Sequence, residues 1–85
     1  LSYNFVYTRR AIKDIEHLDA IVKKRIGNTL LRFLDDPLKH SVPLTDSTLG
    51  GYRFRIGDYR VIFDIEDNDI VVLRVGHRKE IYKRK

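Results

Sequence analysis

Two hydrophobic periods divide this chain. Between Ala11 and Leu34 the apolar residues recur every third or fourth position: Ala11, Ile12, Ile15 and Leu18, then Val22, Ile26, Leu30, Phe33 and Leu34. From Tyr52 they recur every second position: Tyr52, Phe54 and Ile56, then Tyr59, Val61, Phe63 and Ile65. The first spacing lines one face of a helix, the second one face of a strand. A chain so divided is α+β, with helices and sheet built from separate stretches.

The order can be read further. Tyr3, Phe5 and Tyr7 alternate with polar or small residues and predict a short N-terminal strand. Thr8 is placed to cap a first helix through Leu18, and Asp19 a second, longer one that Pro37 stops. The two helices are antiparallel. Residues 37–49, with Pro37, Pro43 and several Ser, Thr and Asp residues, read as a loop. Gly57-Asp58 predicts a two-residue hairpin turn with glycine first. A further turn near Asp67-Asn68 precedes a strand over Ile70 to Val75. A three-residue loop there, with Asn68 left-handed, would put Val71, Leu73 and Val75 on the face of Val61 and Phe63. The helices are expected to cover the Tyr52, Phe54 and Ile56 face of an antiparallel sheet and to leave the other face open. The tail from Gly76 is short and basic.

At 85 residues the chain is one domain, residues 1–85, with no internal repeat or linker. Its 42% hydrophobic content supports a thin core. The absence of cysteine excludes a disulfide framework and a cysteine zinc site, and fits a reducing, cytoplasmic setting. No apolar run approaches the roughly 18 residues of a membrane span, and Leu1 to Arg10 has no signal-peptide pattern. The formal net charge of +5 favours anionic partners: nucleic acid, an acidic protein or an anionic membrane surface.

The charge is concentrated where it is hardest to place. In "GYRFRIGDYRV" the Gly57-Asp58 turn sets Ile56 opposite Tyr59 and Arg55 opposite Arg60, with Arg53 opposite Ile62. Three guanidinium groups then leave the sheet on one face. Directly opposed like charges destabilise a ladder by up to about 1 kcal/mol. The arrangement makes sense if an anion sits between them, and arginine suits phosphate because its planar fork donates two hydrogen bonds at once. The bland alternative is that the arginines splay into water or pair with Asp64 and Glu66; Asp64 shares their face by parity.

"LGGYRFRIGDYRVIF", followed after a short hairpin by "VVLRVGHRKEIYKR", resembles the RelE/ParE superfamily of toxins from toxin–antitoxin modules, and looks closest to its RelE branch. The resemblance extends over nearly the whole chain. It implies a ribosome-dependent messenger RNA endonuclease that uses no metal or other cofactor. Its substrate is mRNA in the ribosomal A site, where a 2′-hydroxyl attacks the neighbouring phosphate and leaves a 2′,3′-cyclic phosphate. It implies a RelB-like antitoxin as partner. By motif position, Arg60 matches the arginine that binds the reacting phosphate. Arg78 matches the one at the leaving 5′-oxygen, and Tyr82 the tyrosine at the attacking 2′-hydroxyl. Arg53 and Arg55 stand where the best-known member carries lysines. Arg55 is thus carried over as a catalytic cation without an acid–base role, since arginine exchanges protons poorly. Arg53, Arg55, His77 and Lys79 are the candidate RNA contacts.

Several of these residues keep a second reading. Tyr82 could stack on a base, or be an amphipathic tyrosine at the end of an element. Whether the tail is helical or extended, Arg78 and Tyr82 share a face. His77 could transfer protons near neutral pH, but parity directs it away from Arg78 towards the helix side. His17 and His40 share no ligand spacing and read as surface residues, and Asp35-Asp36 as capping or solvated groups rather than a metal pair. Two other functions fit the same fold: a ParE-like poison of DNA gyrase, and a catalytically silent ribosome- or RNA-binding module. The combined Arg60, Arg78 and Tyr82 set favours cleavage over the first.

Overall fold

Thr8 is the joint between sheet and helices. In the computed structural model, which describes residues 3–46 and 48–83, strand β1 (Asn4–Tyr7) ends at this residue and helix α1 (Arg9–Glu16) begins beyond it. The Thr8 hydroxyl oxygen accepts the Ala11 N–H at 3.1 Å, the expected N-cap. The same hydroxyl donates to the Leu73 carbonyl at 3.3 Å. Helix α2 (Ala20–Phe33) follows. Asp19 precedes it but makes no side-chain cap; its carbonyl only accepts the first helical bond, from Lys23 N at 2.8 Å.

The remaining elements are β2 (Ser41–Pro43), β3 (Tyr52–Ile56), β4 (Tyr59–Glu66), β5 (Asp69–His77) and the short helix α3 (Arg78–Ile81). The sheet order is β1-β5-β4-β3-β2. β1 runs parallel to β5, and every other pair is antiparallel. The fold is α+β, as the two periods predict. The core joins Ala11, Ile26 and Leu30 of the helices to Phe54, Ile56, Val61, Phe63, Ile70, Val72 and Val75. Phe54 and Phe63 stack across the β3–β4 ladder with centroids 4.2 Å apart, and Phe33 of α2 closes on Phe54 at 5.0 Å. No helix among the described residues is long and apolar enough to cross a membrane.

Three expectations need correction. The loop of residues 37–49 contains the edge strand β2, whose Val42 pairs with Arg53. Three residues are too few to show a period, and Pro43 is tolerated because the strand is at an edge. The turn after β4 has two residues, not three. Asp67 takes the left-handed conformation at φ 55°, and Glu66 pairs with Asp69. The ladder then slips: Ile62 faces Arg74 while Phe63 faces Val72, so Leu73 is passed over as a bulge. Ile70, Val72 and Val75 therefore fill the core, not Val71 and Leu73 with Val75. The run Ile70 to Leu73 is apolar throughout, so parity could not be read from it.

The third correction concerns the face away from α1 and α2, which is not open. Ile62, on the arginine face, is fully buried. Gly50 lies so close that a Cβ there would come 2.7 Å from Ile62 Cγ2 and 2.9 Å from Leu73 Cδ1. Gly51 N–H donates to Asp64 Oδ1 at 2.6 Å, fastening the segment before β3 across the sheet. At the other end Ile81 of α3 is buried beside Gly76. The two covers bracket the arginines.

β1 ends before β5 does, and α1 supplies the missing partner. Asp14 Oδ2 accepts the Val75 N–H at 2.9 Å and the Arg74 Nε–H at 2.8 Å. Asp14→Ala strands a backbone donor and a cation together, so we expect a loss of about 1.5–3 kcal/mol. Asp14→Asn, which keeps an acceptor for the Val75 N–H, should fall between this and wild type. Urea midpoints at unchanged slope measure both; an Asp14→Ala chain as stable as wild type would show the contact to be dispensable.

Candidate active site

The β3–β4 hairpin forms in the expected register. Gly57 takes φ 60° at the first turn position, Ile56 pairs with Tyr59, Arg55 with Arg60, and Arg53 with Ile62. The Arg25 guanidinium of α2 lies over Gly57, where a Cβ would meet Nη2 at 2.7 Å; that flexible side-chain end can move aside, so the positive φ is what calls for glycine.

Arg60 is the centre of the group and is only 7% exposed. Its Nη1 donates to the carbonyls of Gly57 at 3.0 Å and Tyr59 at 2.9 Å. Burial pulls its pKa below the usual arginine value, and the Arg55, Arg53 and Arg78 charges pull the same way, with Tyr82 opposing. Asp64 is engaged with Gly51 and makes no ion pair with an arginine. The pairing that would have made the cluster purely structural is therefore absent among the described residues.

Arg53 and Arg55 flank Arg60. Arg53 Nη1 donates to the Tyr82 hydroxyl at 3.4 Å. Its Nε is enclosed with no hydrogen-bond partner, an unmet donor on a cation. Arg55 is exposed and has no carboxylate partner among the described residues. Arg78 opens α3, and Tyr82 follows its last residue. Arg78–Ile81 is thus helical, with Arg78 and Tyr82 one turn apart. The Arg78 N–H donates to the Asp58 carbonyl at 2.7 Å, and Arg78 Nε lies 3.6 Å from Asp58 Oδ1. Arg53, Arg55, Arg60, Arg78 and Tyr82 are brought together.

His77 and Lys79 are not part of that group. His77 pairs with Tyr59 and sets its ring edge-on to the tyrosine at 5.4 Å. Its Nδ1 accepts the Lys79 N–H at 3.1 Å, which makes it the N-cap of α3. Lys79 is exposed on that helix. His17 Nδ1 lies 2.7 Å from the Lys13 carbonyl, and His40 stacks on Phe33 and approaches Asp35 at 3.7 Å. Asp36 accepts the Lys39 N–H in the turn after α2. Among the described residues no three His, Cys, Asp or Glu side chains gather as metal ligands. The sequence reading missed Asp58 and Arg25. Asp58 counted there only as a turn residue, and Arg25 as one of many basic residues on a helix.

Chemically, the site is a cationic cluster with one phenol and one carboxylate at its margin. Such a cluster can hold a phosphodiester and stabilise added negative charge on it.

Comparison with known proteins gives the family. The family model for the ParE toxin of the type II toxin–antitoxin system parDE matches residues 5–82. Toxin RelG of Mycobacterium tuberculosis is 33% identical, with 99% of this chain and 100% of RelG aligned. Toxin RelE3 of Methanocaldococcus jannaschii is 27% identical over 91% of this chain and 92% of its own length. Among solved structures, the toxin–antitoxin complex RelBE2 of M. tuberculosis superposes with a TM-score of 0.82 at 27% identity, covering 92% of this chain and all of that one. The RelB–RelE complex of Methanococcus jannaschii gives 0.70 at 26% identity over 91% and 94%. The chain belongs to the RelE/ParE superfamily of toxins from type II toxin–antitoxin systems.

Proposed function

We propose that this toxin is a messenger RNA endonuclease that cuts in the ribosomal A site and so stops translation in the cytoplasm. The observation that carries the reading is the gathering of Arg53, Arg55 and Arg60 on one face of the hairpin, with Arg78 docked on its turn and the Tyr82 hydroxyl accepting from Arg53. In the reaction the 2′-oxygen forms a bond to the adjacent phosphorus and the bond to the 5′-oxygen breaks. The products are a 2′,3′-cyclic phosphate and a 5′-hydroxyl. Arg60, held by two carbonyls of its own hairpin, binds the non-bridging oxygens. Arg55 and Arg53 share the charge that builds there, Arg78 meets the leaving oxygen, and Tyr82 meets the 2′-hydroxyl. Arginines do this as fixed cations and leave proton movement to Tyr82 and water. Four guanidinium groups repel a divalent cation, so the charge stabilisation is theirs and the reaction needs no metal. Lys79 and the basic residues of the helices contact RNA outside the arginine cluster.

A gyrase-directed activity is the alternative that the name of the matching family model keeps alive. Primer extension on programmed ribosomes and a gyrase supercoiling assay separate the two. New 3′ ends at the A-site codon support cleavage. Inhibited supercoiling with intact messenger overturns it, and binding to ribosomes with neither effect would leave a silent RNA-binding module.

The partner we propose is a RelB-like antitoxin, acidic overall, since the solved relatives include complexes with RelB antitoxins. A shallow apolar groove of about 130 Å³ between Tyr7, Ile15, Leu18, Ile26 and Leu30, with Lys23 among its lining residues, offers an amphipathic helix a seat. Apolar burial then holds the pair, and the complex should stay intact near 1 M salt, where screening reaches about 3 Å. Full dissociation there would make the contact mainly electrostatic.

Two substitutions test the chemistry. Arg60→Gln should slow cleavage by about 10²–10³-fold, the scale of one lost donor to a developing anion. Inorganic phosphate should raise the melting temperature of wild type and not of Arg60→Gln. Because Arg60 is buried, its removal also touches the fold. The lost hydrogen bonds and the relieved repulsion oppose each other, and the net change in stability should stay within about 1 kcal/mol. A much larger loss would make Arg60 a structural residue. Tyr82→Phe removes only the hydroxyl and should slow single-turnover cleavage by about 10²-fold with ribosome binding unchanged. Near-normal cleavage by Tyr82→Phe beside a damaged Tyr82→Ala would make the ring a stacking platform instead.

A further inference from the structure

The Gly57-Asp58 turn holds both sides of the arginine group. Its Gly57 carbonyl accepts from Arg60, and its Asp58 carbonyl accepts the Arg78 N–H at 2.7 Å. Asp58 Oδ1 stands 3.6 Å from Arg78 Nε. Among the described residues it is the only carboxylate ion-paired with any of the four arginines. This is an odd place for an acid. A negative charge at the margin of a phosphate site repels the ligand. Nor does it do much for the fold, because Arg78 and Asp58 are 55% and 70% exposed and a pair so open to water contributes little stability.

Orientation accounts for it. Arg78 is the first residue of a helix of four residues, and a half-exposed arginine there has many rotamers open to it. The Asp58 carbonyl fixes its backbone through the 2.7 Å bond, and the carboxylate draws Nε by charge alone, at 3.6 Å and beyond hydrogen-bond reach. That attraction favours rotamers with Nε towards the turn and the Nη1–Nη2 edge away from it. Both contacts come from the turn that also holds Arg60, so one rigid loop sets the spacing between the two cations. We propose that Asp58 is a positioning residue that aims the Arg78 guanidinium at the leaving oxygen of the scissile phosphodiester. This role rests on the cleavage reading above.

The test combines Asp58→Asn and Asp58→Ala with Arg78→Ala, in single-turnover cleavage on programmed ribosomes. Affinity is read on the same complexes with a 2′-deoxynucleotide at the cut. Asp58→Ala should slow cleavage by about 10- to 10²-fold, the effect of a misplaced group. Affinity for the deoxy substrate should hold or tighten by about two- to fivefold, the scale of one exposed charge removed. Asp58→Asn keeps an acceptor and a turn-compatible side chain, and should recover part of the rate. In the Arg78→Ala background neither change at Asp58 should slow cleavage further. Equal fold losses with and without Arg78 would overturn the positioning role. So would a loss that follows the melting temperature or the affinity. Additive losses in a chain that cuts remove this role alone, whereas a wild-type chain that leaves messenger intact removes the cleavage reading and this role with it.

Discussion

The left-handed glycine at position 57 is the constraint on which the rest of the structure depends. Because the β3–β4 loop has two residues, the ladder has one register, and that register sets Arg55 against Arg60. A slip of one residue would turn one strand over: either Phe54 leaves the core and Arg53 and Arg55 enter it, or Val61 and Phe63 leave and Arg60 enters. The stacked Phe54 and Phe63 rings hold the register from the helix side. The turn carbonyls hold Arg60 from the other. The repulsion among the guanidinium groups is therefore borne by a hairpin with no lower-energy pairing available, which is how a site can keep like charges together without an ion bound.

What was legible in the sequence follows from the length of each pattern. The helices and the hairpin have long, clean periods, and Thr8 and Gly57 act locally, so their roles could be read without a structure; α2 ends at Phe33, four residues before the proline expected to stop it. β2 has three residues and a proline, which is below the length at which alternation can be seen. The Leu73 bulge sits in an unbroken apolar run, where either parity looks equally good. The cover over the arginine face depends on Gly50 approaching Ile62 and Leu73 from a distant part of the chain. Nothing local to Gly50 encodes that contact. Arg60 is buried with its guanidinium folded back onto the Gly57 and Tyr59 carbonyls, a rotamer that alternation alone does not encode. Asp58 was hidden for another reason: aspartate is so common in turns that its second task left no local trace.

The relatives carry two kinds of name, ParE for the family model and RelE or RelG for the individual toxins. One fold serves both, so the fold does not decide between them. The cleavage reading proposed above rests on side chains that stand on two strands and one helical turn. Arg60 is held by two backbone carbonyls, Arg78 lies in ion-pair range of the Asp58 carboxylate, and Arg55 is open to water. A binding surface for another protein has no need of such unequal restraint, whereas a reacting phosphate does, since its oxygens differ in what they require.

The parallel pairing of β1 with β5 has a consequence for how the molecule comes into being. β5 lies between β1 and β4, yet it is the last strand in the chain, and the Thr8–Leu73 bond spans 65 residues. During synthesis the first strand must wait, unpaired, for nearly the whole domain to emerge. Such non-local closure is slow. Arg78, which completes the arginine cluster, and Ile81, buried beside Gly76, emerge later still. No N-terminal fragment contains the finished site. If the target is the translating ribosome, the machine that makes this chain is exposed to its activity only after the last strand has been delivered.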